Sequence, residues 1–471
     1  MKKLSILLIL LLATGIMQAQ ERKQPKPGKS PIINIKKPQT FTLENGLKVM
    51  VVENHKLPKV TFNLTIDNAP FSEGNKKGVD ELCSSLIGNG STKITKDDFN
   101  DEIDFMGADI VFSSREVYAS SLSKFSGRVL QLMSYGALYP NFNQEELDKE
   151  RDKLIESLRS QEKSVPAISR RVVNALAFGK NHPYGEFITE ESLSNITLDD
   201  IKENYATYFV PEHAYLAVVG DVKFKEIKPV IEHLFGHWKK ESTPKITYPD
   251  PENVPITQIN FVDVPNAVQS EISLVNTLNL KMGDKDFFPA ALASYILGGG
   301  FNSYLNMNLR EEHGWTYGAR TEIGAGKYIT KTKSSSAVKN AVTDGAVTEF
   351  IKEIKRIRTE KVDTGLLNEV KAGYIGRFVM RFEKPESIAR YALNIETENL
   401  PADFYDNYIK NINAVTEEDI MQAANKFFKI DNTRIIIVGK GSEVIPELEK
   451  LNIPIFYFDK YGNPIEKPVY K

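Results

Sequence analysis

The chain has 471 residues, of which 41% are hydrophobic and 26% charged, so it is long enough to bury several packed cores. Its formal net charge is −2, and its lysines and arginines are spread evenly, which excludes a basic nucleic-acid surface as a dominant feature. Its single cysteine excludes an intrachain disulfide. The composition is therefore that of a large protein stabilised by burial of apolar side chains.

The chain begins with the pattern of a secretory signal peptide. Lys2 and Lys3 precede an apolar run over residues 4–16, which ends in Gln18-Ala19-Gln20 before charged residues follow. The run is too short to span a membrane comfortably. We therefore predict a signal peptide over residues 1–20 and an exported protein, most simply a periplasmic one. Residues 21–38 are predicted to be a Lys/Pro-rich linker.

Two α+β halves are predicted to follow, at residues 39–245 and 255–471, with a proline-rich segment between them. Strand-like alternation over residues 60–66, 110–112 and 270–275 mixes with long amphipathic helical patterns over 144–159 and 342–355. Strands and helices do not alternate strictly, which favours α+β layers. The halves look like weak repeats, because residues 216–221 correspond to 434–440 and Gly220 and Gly439 lie 219 positions apart.

Residues that could act as nucleophiles or metal ligands are sparse. Cys83 lies beside Leu82 and Leu86 on a predicted helix, which favours a small buried apolar residue over a reactive thiol. His233 and His237 have the i, i+4 spacing of metal ligands, but no second carboxylate lies in register, and a helix C-terminus also favours a histidine. The remaining histidines are predicted to be structural or exposed: His55, His182, His213 and His313.

The segment 297–318 carries the strongest functional pattern. Gly298, Gly299 and Gly300 leave the backbone free of side chains, without the spacing of a dinucleotide-binding loop. The helical pattern that follows places Leu305 and Leu309 on one face, with Arg310 next and Tyr317 beyond a helix-ending Gly314. An arginine and a phenol near one site could polarise a carbonyl. Taken singly, Arg310 is typical of a solvated helix end and Tyr317 of a half-buried strand.

The order and spacing of several segments, with segment 297–318 among them, resemble the M16 peptidases, the family of pitrilysin, insulinase and mitochondrial processing peptidase. The resemblance covers about residues 38–440, and the other matching segments are 41–49, 181–185, 208–221, 235–238 and 264–270. It implies two related halves, each a mainly antiparallel sheet covered by helices, closing like a clam shell. It also implies that Arg310 and Tyr317 bind the scissile carbonyl of a peptide, and that Gly298, Gly299 and Gly300 contribute to substrate binding.

The same resemblance identifies a degenerate zinc site. Active members carry His-x-x-Glu-His on a helix, with a further Glu as the third ligand. Here Glu81 and Ser85 occupy the two histidine positions, Ser84 the general-base position and Ser157 the third-ligand position. Glu156 lies one residue away, about 100° around the helix. One carboxylate and two hydroxyls are a poor donor set for Zn²⁺, so no metal is expected in this chain.

The leading hypothesis is a zinc-less subunit of a heterodimeric M16-type peptidase, in which a partner with an intact His-x-x-Glu-His motif holds the zinc. Its substrates would be unfolded peptides, and the mature chain would have no membrane span. The alternative is a non-catalytic peptide-binding or scaffold protein, as the core subunits of the respiratory bc1 complex resemble processing peptidase. A third reading is a zinc peptidase that acts alone through unorthodox ligands. Separately, Cys83 could act as a nucleophile, or Glu81 as a residual general acid or base; both are disfavoured, because Cys83 is predicted to be buried and Glu81 has no metal or partner.

Overall fold

The computed structural model describes residues 37–469, which belong to one compact unit. The predicted signal peptide and nearly all of the predicted linker lie outside the described residues. Within residues 37–469, no helix combines the length and the apolar character needed to cross a membrane.

The strands of the first half form one sheet. They are β1 (Gln39–Thr42), β2 (Lys48–Glu53), β3 (Lys59–Ile66), β4 (Asp109–Phe112), β5 (Glu116–Leu122) and β6 (Ala214–Gly220). Their order is β1-β2-β6-β3-β5-β4, with β2 and β6 parallel and the other neighbours antiparallel. Successive side chains of a strand point to opposite faces of the sheet. In β3 one face therefore carries the apolar residues that are buried in the core: Val60, Phe62, Leu64 and Ile66.

The strands of the second half form a second sheet. They are β7 (Gln258–Asp263), β8 (Gln269–Leu278), β9 (Ala319–Ile323), β10 (Thr330–Lys339), β11 (Arg434–Gly439), β12 (Ile455–Phe458) and β13 (Pro464–Ile465). Their order is β13-β12-β7-β11-β8-β10-β9, so β9 is an edge strand, as β4 is in the first sheet. The stretch β7-β11-β8-β10-β9 repeats the order and strand directions of β2-β6-β3-β5-β4.

The helices of the first half are α1 (Val79–Leu86), α2 (Lys96–Met106), α3 (Ser126–Leu138), α4 (Gln144–Gln161), α5 (Val165–Phe178), α6 (Glu190–Ser194), α7 (Leu198–Tyr208) and α8 (Phe224–Phe235). Those of the second half are α9 (Phe287–Ser294), α10 (Tyr304–Asn306), α11 (Thr343–Thr359), α12 (Thr364–Arg381), α13 (Pro385–Thr397), α14 (Tyr408–Ala414), α15 (Glu417–Phe427) and α16 (Gly441–Leu448). Short π-helical turns span Tyr295–Gly299 and Met307–Glu312. The predicted strands and the two long predicted helices are confirmed, with small differences at their ends.

The internal repeat extends to the helix caps. Thr197 caps α7 in a reciprocal box with Asp200, and Thr416 caps α15 in the same way with Asp419. Each of these helices leads into a corresponding strand, β6 or β11, and the offset between the boxes is again 219 residues. The predicted correspondence of residues 216–221 with 434–440 therefore has a structural counterpart.

Each sheet is covered on one face by helices of its own half and on the other by a helix of the opposite half. From the first half, α5 packs on β8 and β11 of the second sheet, where Val172 and Val173 contact Ile436 and Val438. From the second half, α13 packs on β2 and β6 of the first sheet, where Ala389 joins Val52 and Val219. A boundary at residues 245–255 would place the two sheets in separate domains. Helices α5 and α13, however, would each remain packed on the sheet of the other domain.

Candidate functional site

The helix at the degenerate zinc position, α1, is held by an apolar face. Leu82, Cys83 and Leu86 are buried in the core of the first half, whereas Glu81 and Ser85 are exposed on the opposite side. Ser85 Oγ donates a hydrogen bond to the Glu81 carbonyl at 3.1 Å, within its own helix. The helix periodicity alone therefore separates the packing positions from the exposed positions that the resemblance assigns to metal ligands.

Ser84, at the general-base position, is occupied in binding the backbone beyond β4. Its Oγ donates to Ser114 Oγ at 2.8 Å and accepts from the Ser114 amide at 2.9 Å. This hydroxyl therefore joins α1 to the turn between β4 and β5. Among the described residues, both of its hydrogen bonds are made with Ser114, which is not a base that could activate it as a nucleophile.

Ser157, at the third-ligand position, lies on an exposed face of α4 and accepts a hydrogen bond from Gln161 Nε2 at 3.0 Å. The neighbouring Glu156 side chain is 76% exposed and lies 3.5 Å from Arg159. One carboxylate and two hydroxyls do not fit Zn²⁺, which takes imidazole, thiolate or carboxylate ligands. Among residues 37–469 there is no cluster of three His, Cys, Asp or Glu side chains able to hold a metal ion.

Cys83 is fully buried on the core face of α1. Burial raises the pKa of its thiol to about 12, although a hydrogen bond with Asn204 acts in the opposite direction. A thiol with such a pKa carries almost no thiolate near neutral pH, and the thiolate is the nucleophile. The side chain therefore acts as a small apolar core residue.

The N-terminus of α1 is held by a charged triad that sequence reasoning missed. Glu73 accepts hydrogen bonds from the Gly78 amide at 2.9 Å and the Asp80 amide at 3.1 Å, at the positive end of the helix dipole. Lys77 Nζ lies 2.5 Å from Glu73 and 3.3 Å from Glu186, and both glutamate side chains are only 6% exposed. Glu186 directly follows the matched segment 181–185, which is the one sequence signal that pointed near it.

Arg310 lies in the π-helical turn that continues α10. Its guanidinium lies over the Phe301 ring, 4.8 Å from the centroid, and its Nε is 3.3 Å from Glu311 Oε1. The side chain remains 38% exposed. Leu305 and Leu309 are fully buried, as predicted, so this helix is fixed by its apolar face and presents Arg310 at its margin.

Tyr317 projects into solvent just before β9. Gly314 takes a left-handed conformation with φ of +65°, and the Trp315 amide donates to the Leu309 carbonyl at 2.9 Å, which ends the helix as predicted. Tyr317 is 93% exposed, not the half-buried strand residue that its type alone suggests. The next residue, Gly318, lies beside Asn306, one helical turn before Arg310.

The glycines at 298–300 permit close packing. A Cβ at Gly298 would lie 2.3 Å from the Thr321 amide nitrogen of β9, and one at Gly300 would lie 2.8 Å from the Tyr295 ring. Gly299 is also close to Tyr295. Their contribution to substrate binding stays a prediction, and the geometry gives them a packing role in addition.

Two buried asparagines, whose role the sequence pattern did not predict, hold the helix of Arg310 in place. Asn306 donates to the Phe301 carbonyl at 2.7 Å and accepts from the Ala319 amide at 3.3 Å, which joins the glycine loop to β9. Asn308 donates to Glu349 at 2.6 Å and to buried Glu353 at 2.8 Å, both on α11. Periodicity gave no signal for either residue, because a polar side chain within an amphipathic helix is ordinarily expected to be exposed.

Fold and site together define a protein with two similar α+β halves, no zinc donor set at the expected positions, and an Arg/Tyr pair on the second half. Residues 195–374 match the family model described as the peptidase M16 inactive domain. The chain therefore resembles the M16 peptidase family, and the match lies within residues 195–374 of its 471 residues.

Relatives of the chain are distant in sequence but cover most of its length. The uncharacterized zinc protease YmxG of Bacillus subtilis is 21% identical over 85% of this chain and 98% of its own. The non-peptidase homolog YmxG of Helicobacter pylori is 20% identical over 84% of this chain and 93% of its own. The crystal structure of a peptidase M16 inactive domain from Pseudomonas fluorescens shares the fold, with a TM-score of 0.77, 20% identity and coverage of 86% and 98% of the two chains.

Proposed function

We propose that this chain is the non-zinc subunit of an exported, heterodimeric M16-type peptidase. Arg310 and Tyr317 contact the scissile carbonyl of a peptide held in the zinc site of a partner subunit. The partner carries an intact His-x-x-Glu-His motif and supplies the metal. The signal-peptide pattern supports export, most simply to the periplasm.

The observation that carries this proposal is the contrast between the two sets of positions. The zinc positions hold residues that cannot form the site, whereas Arg310 and Tyr317 remain at the family spacing with solvent-accessible side chains. Nothing in the packing of the fold requires a tyrosine that is 93% exposed. An exposed phenol and a partly exposed guanidinium, seven residues apart in the sequence, fit a role toward a ligand outside this chain.

The chemistry of the pair suits acyl transfer. A guanidinium and a phenol hydroxyl both donate hydrogen bonds, and they would stabilise the negative charge that develops on the carbonyl oxygen. Loss of one such donor costs roughly 3–4 kcal/mol of transition-state stabilisation. Tyr317 lies two residues before edge strand β9, so an unfolded peptide could lie along that edge as an added strand and bring its carbonyl to Arg310 and Tyr317.

The test begins with purification of the tagged chain from its native cells, identification of co-eluting proteins, and peptide hydrolysis measured with and without a chelator. We expect a stoichiometric M16-like partner and chelator-sensitive activity.

Arg310→Ala and Tyr317→Phe should each lower turnover by about 100- to 1000-fold while the complex still assembles. Glu312→Gln, an exposed position on the same helical turn, is the matched control and should retain activity. Unchanged turnover in both variants would contradict the assigned role.

A non-catalytic peptide-binding or scaffold protein of M16 fold is the second candidate. It is favoured by the similarity to a Helicobacter pylori protein named as a non-peptidase homolog. In that case the purified chain would have no zinc-bearing partner, and no hydrolysis would accompany it. Peptide binding without turnover would identify the peptide-binding form of this alternative.

A further inference from the structure

A cavity of about 620 Å³ lies between the C-terminal end of α5 and the loop that joins β9 to β10. Its walls come from both halves, because α5 and Tyr184 belong to the first half and β10 to the second. The side chains that matter for its chemistry are Asn174, Phe178, Lys327, Lys331, Lys333 and Glu398. Its polar lining contrasts with the apolar contacts that α5 makes on β8 and β11.

Two lysines on one wall lack acidic partners. Lys331 is half-buried, its ammonium lies 2.5 Å from Asn174 Oδ1 and 5.1 Å from the Phe178 ring centroid, and Lys333 follows two residues later on the same face of β10. Within the described part of the chain, no carboxylate comes within the 4.0 Å ion-pair limit of either ammonium. In contrast, Lys327, which also lines the cavity, is paired with Asp67 at 2.6 Å.

Desolvation is not compensated at Lys331. Burial lowers the pKa of its ammonium, the charge of Lys333 lowers it further, and Glu322 only partly opposes both effects. Removing a charge from water is costly unless a counter-charge replaces the lost hydration. A negatively charged group placed between Lys331 and Lys333 would provide that counter-charge.

The acidic residues of the cavity do not fill this role. Glu322 lies opposite Lys333 in the strand register but outside ion-pair distance. Glu398 has a buried carboxylate oxygen without a hydrogen-bond partner in the described residues, and that oxygen lies close to the backbone at Gly326. Glu271 on β8 also interacts with the charge of Lys333, but it forms no ion pair with it. The site is therefore defined by two ammonium groups on one strand face that have no ion-pair partner among the described residues.

We infer that Lys331 and Lys333, together with Asn174, bind a carboxylate of the peptide ligand. The shared chemistry is the carboxylate, carried either by an acidic side chain or by a free C-terminus. The inference rests on the proposed function in that its ligand is a peptide. Carboxylate binding would make this cavity an anchoring subsite separate from the Arg310 and Tyr317 pair.

Strand geometry gives the spacing between the two sites. Lys333 pairs with Glu322, and the Lys331 carbonyl accepts from the Gly324 amide at 3.1 Å. Glu322 and Gly324 lie five and seven residues beyond Tyr317 in the sequence, about 17 and 23 Å along an extended strand. A peptide along the edge of β9 would therefore place its carboxylate five to seven residues from the carbonyl near Tyr317.

Fluorescence anisotropy with the purified full-length chain tests the inference without a partner. Three unstructured peptides of one sequence are compared: a C-terminal amide with one Glu, the same amide with Gln in its place, and the Gln peptide with a free C-terminus. Wild type should bind at least one carboxylate peptide about ten- to hundredfold more tightly than the neutral amide. The preference should weaken as salt is added. Comparison of the Glu amide with the free C-terminus identifies the source of the carboxylate.

Variants then locate the preference. The double variant Lys331→Gln/Lys333→Gln should bind all three peptides with equal affinity. The single variant Lys331→Arg should keep part of the preference for a carboxylate peptide. Lys339→Gln is the matched control, since Lys339 is exposed at the other end of β10. Thermal unfolding verifies that each variant is folded.

The outcomes separate the two proposals. Equal affinity of wild type for all three peptides would overturn the carboxylate site and leave peptide binding intact. A preference that survives in the double variant would also overturn it. Absence of binding to any of the peptides would count against both the carboxylate site and the proposed function.

Discussion

The two halves of the molecule keep the same frame but differ in what they present on it. The strand order β2-β6-β3-β5-β4 recurs as β7-β11-β8-β10-β9, and capped helices lead into β6 and β11 at the same sequence offset. In the first half, the positions that the resemblance assigns to zinc ligands hold exposed Glu81, Ser85 and Ser157. In the second half, the positions that it assigns to carbonyl binding hold Arg310 and Tyr317.

The difference shows which positions the fold constrains. In α1 the buried face of Leu82, Cys83 and Leu86 holds the helix, so exchange of an exposed residue such as Glu81 or Ser85 costs little stability. Chemistry at such positions can be lost while the architecture stays. Tyr317 is equally free of packing constraint, since it is 93% exposed, and this supports a role outside the fold itself.

The largest expected effect concerns the triad that holds α1. Lys77→Met would leave Glu73 and Glu186 without their shared counter-charge, both with side chains only 6% exposed. Loss of one partner of a buried ion pair costs about 3–5 kcal/mol, so the free energy of unfolding should fall by that order in urea denaturation. A change below about 1 kcal/mol would mean that α1 does not depend on the triad.

The control for this prediction is Lys76→Met, because the Lys76 side chain is 43% exposed in its pair with Asp200 and should matter by at most about 1 kcal/mol.

The stabilisation that Lys77 provides also has a defined pH dependence. Burial lowers the pKa of Lys77, but Glu73 and Glu186 outweigh burial and raise it above 10.5. The stabilisation is therefore fully present below pH 10.5 and is lost as pH rises through the folded-state pKa.

The second prediction builds a zinc donor set at the four positions of the first half that the resemblance assigns to the metal site. Glu81→His, Ser84→Glu, Ser85→His and Ser157→Glu together should bind one zinc ion per chain, measured by metal analysis after dialysis. At free zinc 100 times the dissociation constant, binding would stabilise the folded state by about 2.7 kcal/mol, seen as a rise in Tm. The same variant with Ser85 retained lacks one ligand and should show a much smaller rise. Absence of zinc binding by the complete variant would show that these positions do not converge in the first half.

Much of this architecture could be predicted from the sequence, because its signals are local. The alternation in β3, the apolar face of α4 and the glycine-ended helix before Tyr317 each depend on residues a few positions apart. The triad of Glu73, Lys77 and Glu186 could not be predicted, since its members are joined only by the folded chain.

The packing of α5 on the second sheet and of α13 on the first sheet could not be predicted from the sequence either. An amphipathic helix shows that it packs on a sheet but not on which sheet it packs. The cavity around Lys331 follows from that packing, because α5 brings Asn174 and Phe178 of the first half to β10 of the second.

The third prediction separates packing from binding at the glycine loop. Gly298→Ala would place a methyl group 2.3 Å from the Thr321 amide nitrogen, so the π-helical turn or β9 must shift. Overpacking of this kind costs about 1–3 kcal/mol, which should exceed any gain from the better helix propensity of alanine. Urea denaturation measures the loss, with Gly127→Ala in α3 as the control, because nothing lies within 4 Å of a Cβ built there. If Gly298→Ala keeps wild-type stability yet loses peptide affinity, the substrate-binding reading of the loop would prevail over the packing one.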